Sequence, residues 1–148
     1  MSNSVIYEIA EDNGKYLIRD KKKRYEIDLR SRLFRFAVNT FKFLGTLPSK
    51  KEYDVFRYQL SKSSTSMGAN YEEAQGAFSK KEFASKIGIC LKEAKETNYF
   101  YRVIHELEIS NNLDECTRLV NESDEFQKMF ATIHLKVRNN QLKSKKLK

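Results

Sequence analysis

The side chains able to do chemistry are few, and their spacing serves no familiar reaction. They are two histidines, His105 and His134, two cysteines, Cys90 and Cys116, and the carboxylates Glu72, Glu73, Glu93 and Glu96. Helical bundles that hold a pair of iron ions use a glutamate three residues before a histidine, which sets both ligands on one helix face. Here those positions are Arg102 and Ala131, so neither histidine has that partner. No pair of histidines is spaced as in a HExxH zinc site, and the five glycines form no phosphate-cradling loop.

Four-helix ribonucleases carry an arginine four to six residues before a histidine. Arg102 and His105 are only three apart, and His134 has no arginine in range. A nucleophilic Cys90 would need a neighbour that lowers its pKa, and nothing close in sequence does so, which favours packing. The four carboxylates could form a polar network that sets the register of helices or subunits, with a solvated charged face as the plainer reading. The expectation is a protein that is not an enzyme, with no catalytic residues, no metal ligands and no cofactor.

Charge is more informative than chemistry. The chain has 148 residues and a formal net charge of +8. Residues 25–135 carry sixteen basic and sixteen acidic residues, residues 1–24 carry six and four, and residues 136–148 carry six and none. A neutral body with cationic ends is what attraction to a polyanion produces. The candidate phosphate contacts are Lys21, Lys22, Lys23, Arg24, Lys136, Arg138, Lys143, Lys145 and Lys146. The competing reading is that lysine-rich ends only keep the protein soluble. No apolar run approaches the roughly 20 residues that cross a bilayer, the first residues lack a secretory pattern, and the cysteines stand apart. A cytoplasmic protein with reduced thiols is expected.

The elements that must position these residues are helices, since one proline and five glycines leave long uninterrupted stretches. A first helix is expected from about 28 to 44. Phe34, Ala37, Val38, Phe41 and Leu44 make its core face, and Leu29, Phe36 and Phe43 make a second stripe on the opposite side. A second helix is expected from a capping box at Ser49-Lys50-Lys51-Glu52, and a third from another at Ser79-Lys80-Lys81-Glu82. The second carries Ser63-Ser64-Thr65-Ser66 through its middle, where small side chains let a neighbour come close. The third runs to about 107 on Phe83, Ile87, Leu91, Ala94, Tyr101 and Ile104. A fourth opens at Asn112 with Glu115 three residues on, and continues through Cys116, Val120, Phe126, Phe130, Ile133 and Val137.

Short turns between long helices predict an all-α, antiparallel, up-down-up-down four-helix bundle over 25–148 with a basic C-terminal tail. Residues 1–24 form an N-terminal arm. There Val5 to Ile9 and Tyr16 to Ile18 flank Asn13-Gly14, which reads as a β-hairpin, with a flexible arm as the alternative. Such a ribbon is marginal alone and needs to lean on the bundle or a neighbouring subunit. Apolar surface beyond one core's needs predicts self-association, with Leu29, Phe36, Phe43, Ile89, Phe100 and Val103 as candidate interface residues.

The middle of the chain resembles a known family. Gln59-Leu60, Ser63-Ser64-Thr65-Ser66-Met67, Asn70 and Glu73, followed by SKKEFASKIGICLKEAKETNYFYRVI over 79–104, are similar to the bacterial four-helix-bundle proteins encoded in large-subunit ribosomal RNA intervening sequences. The likeness spans about 28–140. It implies an up-down-up-down bundle assembled as a homopentameric ring. It also implies kinship with the nucleic-acid-binding accessory protein of diversity-generating retroelements. It brings no catalytic residues. Phe100 stands where relatives often have tryptophan, and the first 24 residues have no counterpart.

Charge and resemblance together predict a homo-oligomer that binds RNA or DNA through phosphates with little sequence reading. The alternative is a scaffold that recruits a protein partner and has no nucleic-acid role. No membrane partner is expected.

Overall fold

The computed structural model describes residues 7–12, 15–21 and 27–148. Two strands, β1 (Tyr7–Asp12) and β2 (Lys15–Asp20), precede four helices: α1 (Leu29–Leu44), α2 (Asp54–Gln75), α3 (Lys80–Leu107) and α4 (Leu113–Lys146). A single 3-10 turn, Lys51–Tyr53, leads into α2. Arg30 of α1 meets Glu72 of α2, Ser63 of α2 meets Thr97 of α3, and Asn98 of α3 meets Ser123 of α4. Consecutive helices are therefore antiparallel, as short connections demand. At about 1.5 Å per residue, α1 spans roughly 24 Å and α4 roughly 51 Å, so the bundle is uneven.

Three helices start as side-chain chemistry dictates. Asp28 accepts from the Ser31 N–H at 3.1 Å, Ser79 Oγ from the Glu82 N–H at 3.0 Å, and Asn112 Oδ1 from the Glu115 N–H at 3.1 Å. Each such cap stabilises by about 1 kcal/mol. The expected box at Ser49 and Glu52 does not form, because the chain tightens there into the 3-10 turn with Lys50 at the cap position and no side-chain bond. Arg57 holds that corner instead, its guanidinium donating to the carbonyls of Leu47 and Pro48 at 3.0 and 2.7 Å. At the far end of α3 the chain turns through Glu108, whose φ of 52° lies in the left-handed region that helix ends favour.

The core is aromatic at its centre. Phe36 meets Tyr101 and Phe126 edge to face at 5.9 and 5.2 Å, and Phe43 also packs on Tyr101. Ser63 and Ser64 are fully buried, which lets α2 lie close against α3, where Thr97 donates to Ser63 Oγ at 2.8 Å. Gly68 faces α1, where an added Cβ would meet Leu33 Cβ in ordinary contact at 3.7 Å.

The hairpin pairs in register from Tyr7↔Asp20 to Asp12↔Lys15. Asn13 and Gly14, the residues that predicted its turn, lie outside the described residues. The ribbon leans on its own bundle. Ile9 and Ile18 are buried, the Tyr16 ring stacks on Phe83 at 4.8 Å, the Ile27 N–H donates to the Ile18 carbonyl at 2.8 Å, and Lys80 pairs with Glu11. Burial of those side chains supplies the stabilisation a free two-stranded ribbon lacks.

Candidate nucleic-acid interface and the outer apolar faces

The basic C-terminal segment is not a tail but the last third of α4, helical to Lys146. Phe126, Phe130, Ile133 and Val137 keep that helix on the bundle. At about 100° per residue, Lys136, Arg138, Lys143, Lys145 and Lys146 all fall on the half of α4 turned away from that stripe. All five are exposed. No acidic residue follows Glu125 in the chain, and none of the five enters an ion pair among the described residues.

The body behaves differently. Arg32 donates to Glu122 at 2.9 Å and to Glu125 at 2.6 Å, and its guanidinium lies over the Phe126 ring. Arg30 holds Glu72, Lys86 holds Glu73, Arg118 holds Glu115 and Lys128 holds Asp124. The Arg118 guanidinium holds the Glu115 carboxyl below its ordinary pKa. The body's acidic residues balance its basic ones, and several of each are paired, whereas the α4 end has no acidic residue of its own.

The other predicted cations are not gathered with these. Lys21 is exposed, just past β2, at the end of the hairpin where Tyr7 sits beside Glu125 and Arg32. From Glu125 to Lys143 along α4 is about 27 Å, so Lys21 and the α4 end are separate. Lys22, Lys23 and Arg24 lie outside the described residues.

The expected faces of α1 are reversed. Leu29, Phe36 and Phe43 are each 2% exposed and form the core side with Leu33, Thr40 and Leu44. They cannot be an interface of the folded chain. Phe34, Val38 and Phe41, expected inside, are 72%, 38% and 54% exposed. The two stripes are similarly apolar. What selects between them is the partner surface: Phe36 and Phe43 meet Tyr101 and Phe126, and Thr40 accepts a hydrogen bond from Tyr101. Leu33 and Thr40 complete the inner stripe at helical spacing, neither of them part of the two stripes expected from periodicity. On the outside, Phe34, Ala37, Val38 and Phe41 form, with Thr65, Gly68 and Ala69 of α2, an apolar groove of about 560 Å³. On α3, Ile89, Phe100 and Val103 are part-exposed, Phe100 resting on Phe56.

The carboxylates divide. Glu72 and Glu73 are paired, but Glu93 and Glu96 have no ion pair among the described residues. Glu93 Oε2 is shut from water, Ser66 hydrogen-bonds the carboxylate and Lys62 lies near it, and burial first, then the nearby Glu96 charge, raises its pKa. Cys90 is buried with its thiol on the Met67 carbonyl, and burial pushes its pKa up to about 12, which opposes thiolate chemistry. His105 bonds to Thr117, and the His134 ring packs over Gly88. Among the described residues no three His, Cys, Asp or Glu side chains are placed to hold a metal, and no helix is long and apolar enough to cross a membrane.

A four-helix bundle with a charge-balanced body and an exposed cationic helix end is the class of protein that these features define. Residues 25–132 match the model of the 23S rRNA-intervening sequence protein family, and the chain belongs to that family. It is similar to the crystal structure of a protein with unknown function from the S23 ribosomal protein family of Bacteroides thetaiotaomicron VPI-5482. The two are 30% identical over 71% of this chain and 96% of that one, with a TM-score of 0.63. No curated protein matches. The hairpin and the cationic residues 136–146 fall outside the matched span.

Proposed function

We propose that this protein is a non-catalytic, cytoplasmic homo-oligomer that binds RNA or DNA through phosphate contacts with little sequence reading. The observation that carries the reading is the end of α4, where Lys136, Arg138, Lys143, Lys145 and Lys146 stand exposed and unneutralised on one half of a helix. Cations in that state hold only water and counterions, so a polyanion gains the entropy of counterion release on binding them. A family rooted in ribosomal RNA intervening sequences is consistent with a nucleic-acid partner. Self-association is supported by Phe34, Val38 and Phe41, three large apolar side chains exposed in a row. A ring of five is the assembly the family resemblance implies. Repetition of the α4 end around such a ring converts weak single contacts into avidity.

The test is fluorescence anisotropy with short generic RNA and DNA, single- and double-stranded, over a salt series, on protein whose mass is fixed by light scattering. The reading predicts affinity that falls log-linearly with salt and depends little on sequence. Absence of binding at low salt overturns it, and points to a protein partner instead.

A further inference from the structure

We propose that the hollow between the hairpin and the α2–α3 turn takes one unpaired pyrimidine base of a bound strand, stacked on Phe78 and hydrogen-bonded by Tyr16 and Gln75. This rests on the nucleic-acid reading above and adds to its phosphate contacts one place where a base is held.

Two polar atoms mark the hollow. The Tyr16 hydroxyl and the Gln75 amide nitrogen Nε2 are shut from water without a hydrogen-bond partner. Tyr16 is only 6% exposed, and its ring is fixed by stacking on Phe83 at 4.8 Å. Both residues line a cavity of about 210 Å³, with Ala74, Ala77 and Phe83 among its apolar walls. Buried polar atoms left unpaired are rare in folded chains, and neither of these contributes a bond to the fold. Sites for drug-sized ligands run from about 300 to 1,000 Å³, so this one suits a single ring. Both atoms can donate, and every pyrimidine offers its O2 carbonyl as an acceptor.

The rim supplies the stacking surface. Phe78 lines the same cavity and is fully exposed. Its backbone is nonetheless fixed, because its N–H donates to the Glu82 carboxylate at 2.8 Å while Ser79 caps the Glu82 N–H. A bare aromatic ring on a fixed corner is the surface on which unpaired bases stack. Tyr16 and Gln75 also border a second hollow, on the side of Ile18, Ile27 and Tyr71. The exposed ring belongs to the first.

Charge selects a strand over a free nucleoside. Lys80, at the rim, is held by Glu11, but Lys81 beside it is exposed with no ion pair among the described residues. Asn98 meets Ser123 and Gly88 faces His134, so antiparallel α3 and α4 bring Lys80 level with roughly residue 142. The hollow and the cations Lys143, Lys145 and Lys146 therefore lie at the same end of the bundle. A strand whose phosphates run over that end can turn one unpaired base inward. A duplex keeps its bases stacked and paired, and offers none.

The experiment is fluorescence anisotropy on the full chain with a labelled short oligouridylate, a strand of equal length lacking bases, and a duplex. Tyr16→Phe with Gln75→Leu removes both polar atoms and keeps their bulk, and Phe78→Ala removes the ring. Melts by circular dichroism verify that both variants fold. Wild type should bind oligouridylate more tightly than the baseless strand. Each variant should lose about tenfold on oligouridylate and nothing on the other two probes, with the salt slope unchanged because no phosphate contact is touched. Variants equal to wild type on oligouridylate would leave the two atoms holding only water and overturn the base site, while a steep salt slope would keep the phosphate reading standing. Oligoadenylate bound as well as oligouridylate would overturn the pyrimidine. Displacement of the strand by uridine at equal concentration would make the free nucleoside the ligand and overturn the strand. A wild type that binds none of the probes at low salt overturns both readings.

Discussion

The Tyr101 hydroxyl donates to Thr40 Oγ1 at 2.7 Å in the middle of the core, tying α3 to α1 across 61 residues of chain. Both side chains are fully buried. Helix α1 is the shortest of the four, and this bond fixes both its height and its rotation, since it holds one side of α1 inward and therefore turns Phe34, Val38 and Phe41 out.

Removing one partner should leave the other unsatisfied in a dry environment. Tyr101→Phe and Thr40→Val should each cost about 1–3 kcal/mol. The double variant should cost clearly less than the sum, because it removes both polar groups together. Urea unfolding of the four proteins checks this, and strict additivity would mean that the bond contributes nothing specific.

Tyr16 separates packing from polarity in the hairpin. Its ring is buried against Phe83, but its hydroxyl has no hydrogen-bond partner. Tyr16→Phe should leave stability unchanged or slightly raised, whereas Tyr16→Ala should cost about 3–5 kcal/mol, as large-to-small changes of buried aromatics do. Amide exchange in β1 and β2 should accelerate only in Tyr16→Ala. Unchanged exchange there would show that the ribbon does not depend on this contact.

Alkaline pH should weaken the fold. Burial raises the Cys90 thiol from 9.0 to about 12, and the Tyr7 and Tyr71 phenols from 10.0 to about 12. The folded chain therefore holds these protons more tightly than the unfolded chain. Their contribution to stability is complete below about pH 9 and is lost as pH rises toward 12. Urea midpoints at pH 8 and pH 10.5 should differ, and by less in Cys90→Ala. At pH 8 Cys90 should react with a thiol reagent far more slowly in the native than in the unfolded protein, and equal rates would contradict its burial.

Local signals supplied the four helices through their periodicity, two of three capping boxes as helix starts, and the hairpin through its turn residues, because each rests on local chemistry. Periodicity failed on α1, where residues 34–44 carry two apolar stripes and the choice between them belongs to Tyr101 and Phe126, far away in sequence. The box at Ser49 failed for a similar reason, since Arg57 and the carbonyls of Leu47 and Pro48 shape that corner. The cationic cluster of α4 was legible as composition. That it is helical and unpaired, and that burial raises the Glu93 pKa, required the packed structure.

The most direct test of the central claim is anisotropy of labelled RNA and DNA titrated with wild type and with Arg138→Gln/Lys143→Gln/Lys145→Gln/Lys146→Gln over a series of salt concentrations. None of the four is in the core, so the fold should persist. With phosphate contacts as the source of affinity, each lost contact removes about 0.9 from the log–log salt slope on duplex, or about 0.7 on single strands. The predicted result is weaker binding at low salt and a slope shallower by up to about 3.6 on duplex, or about 2.8 on single strands, for each protomer engaged. Equal affinity and equal slope in the two proteins would contradict the account, and would make the α4 end a solubilising surface.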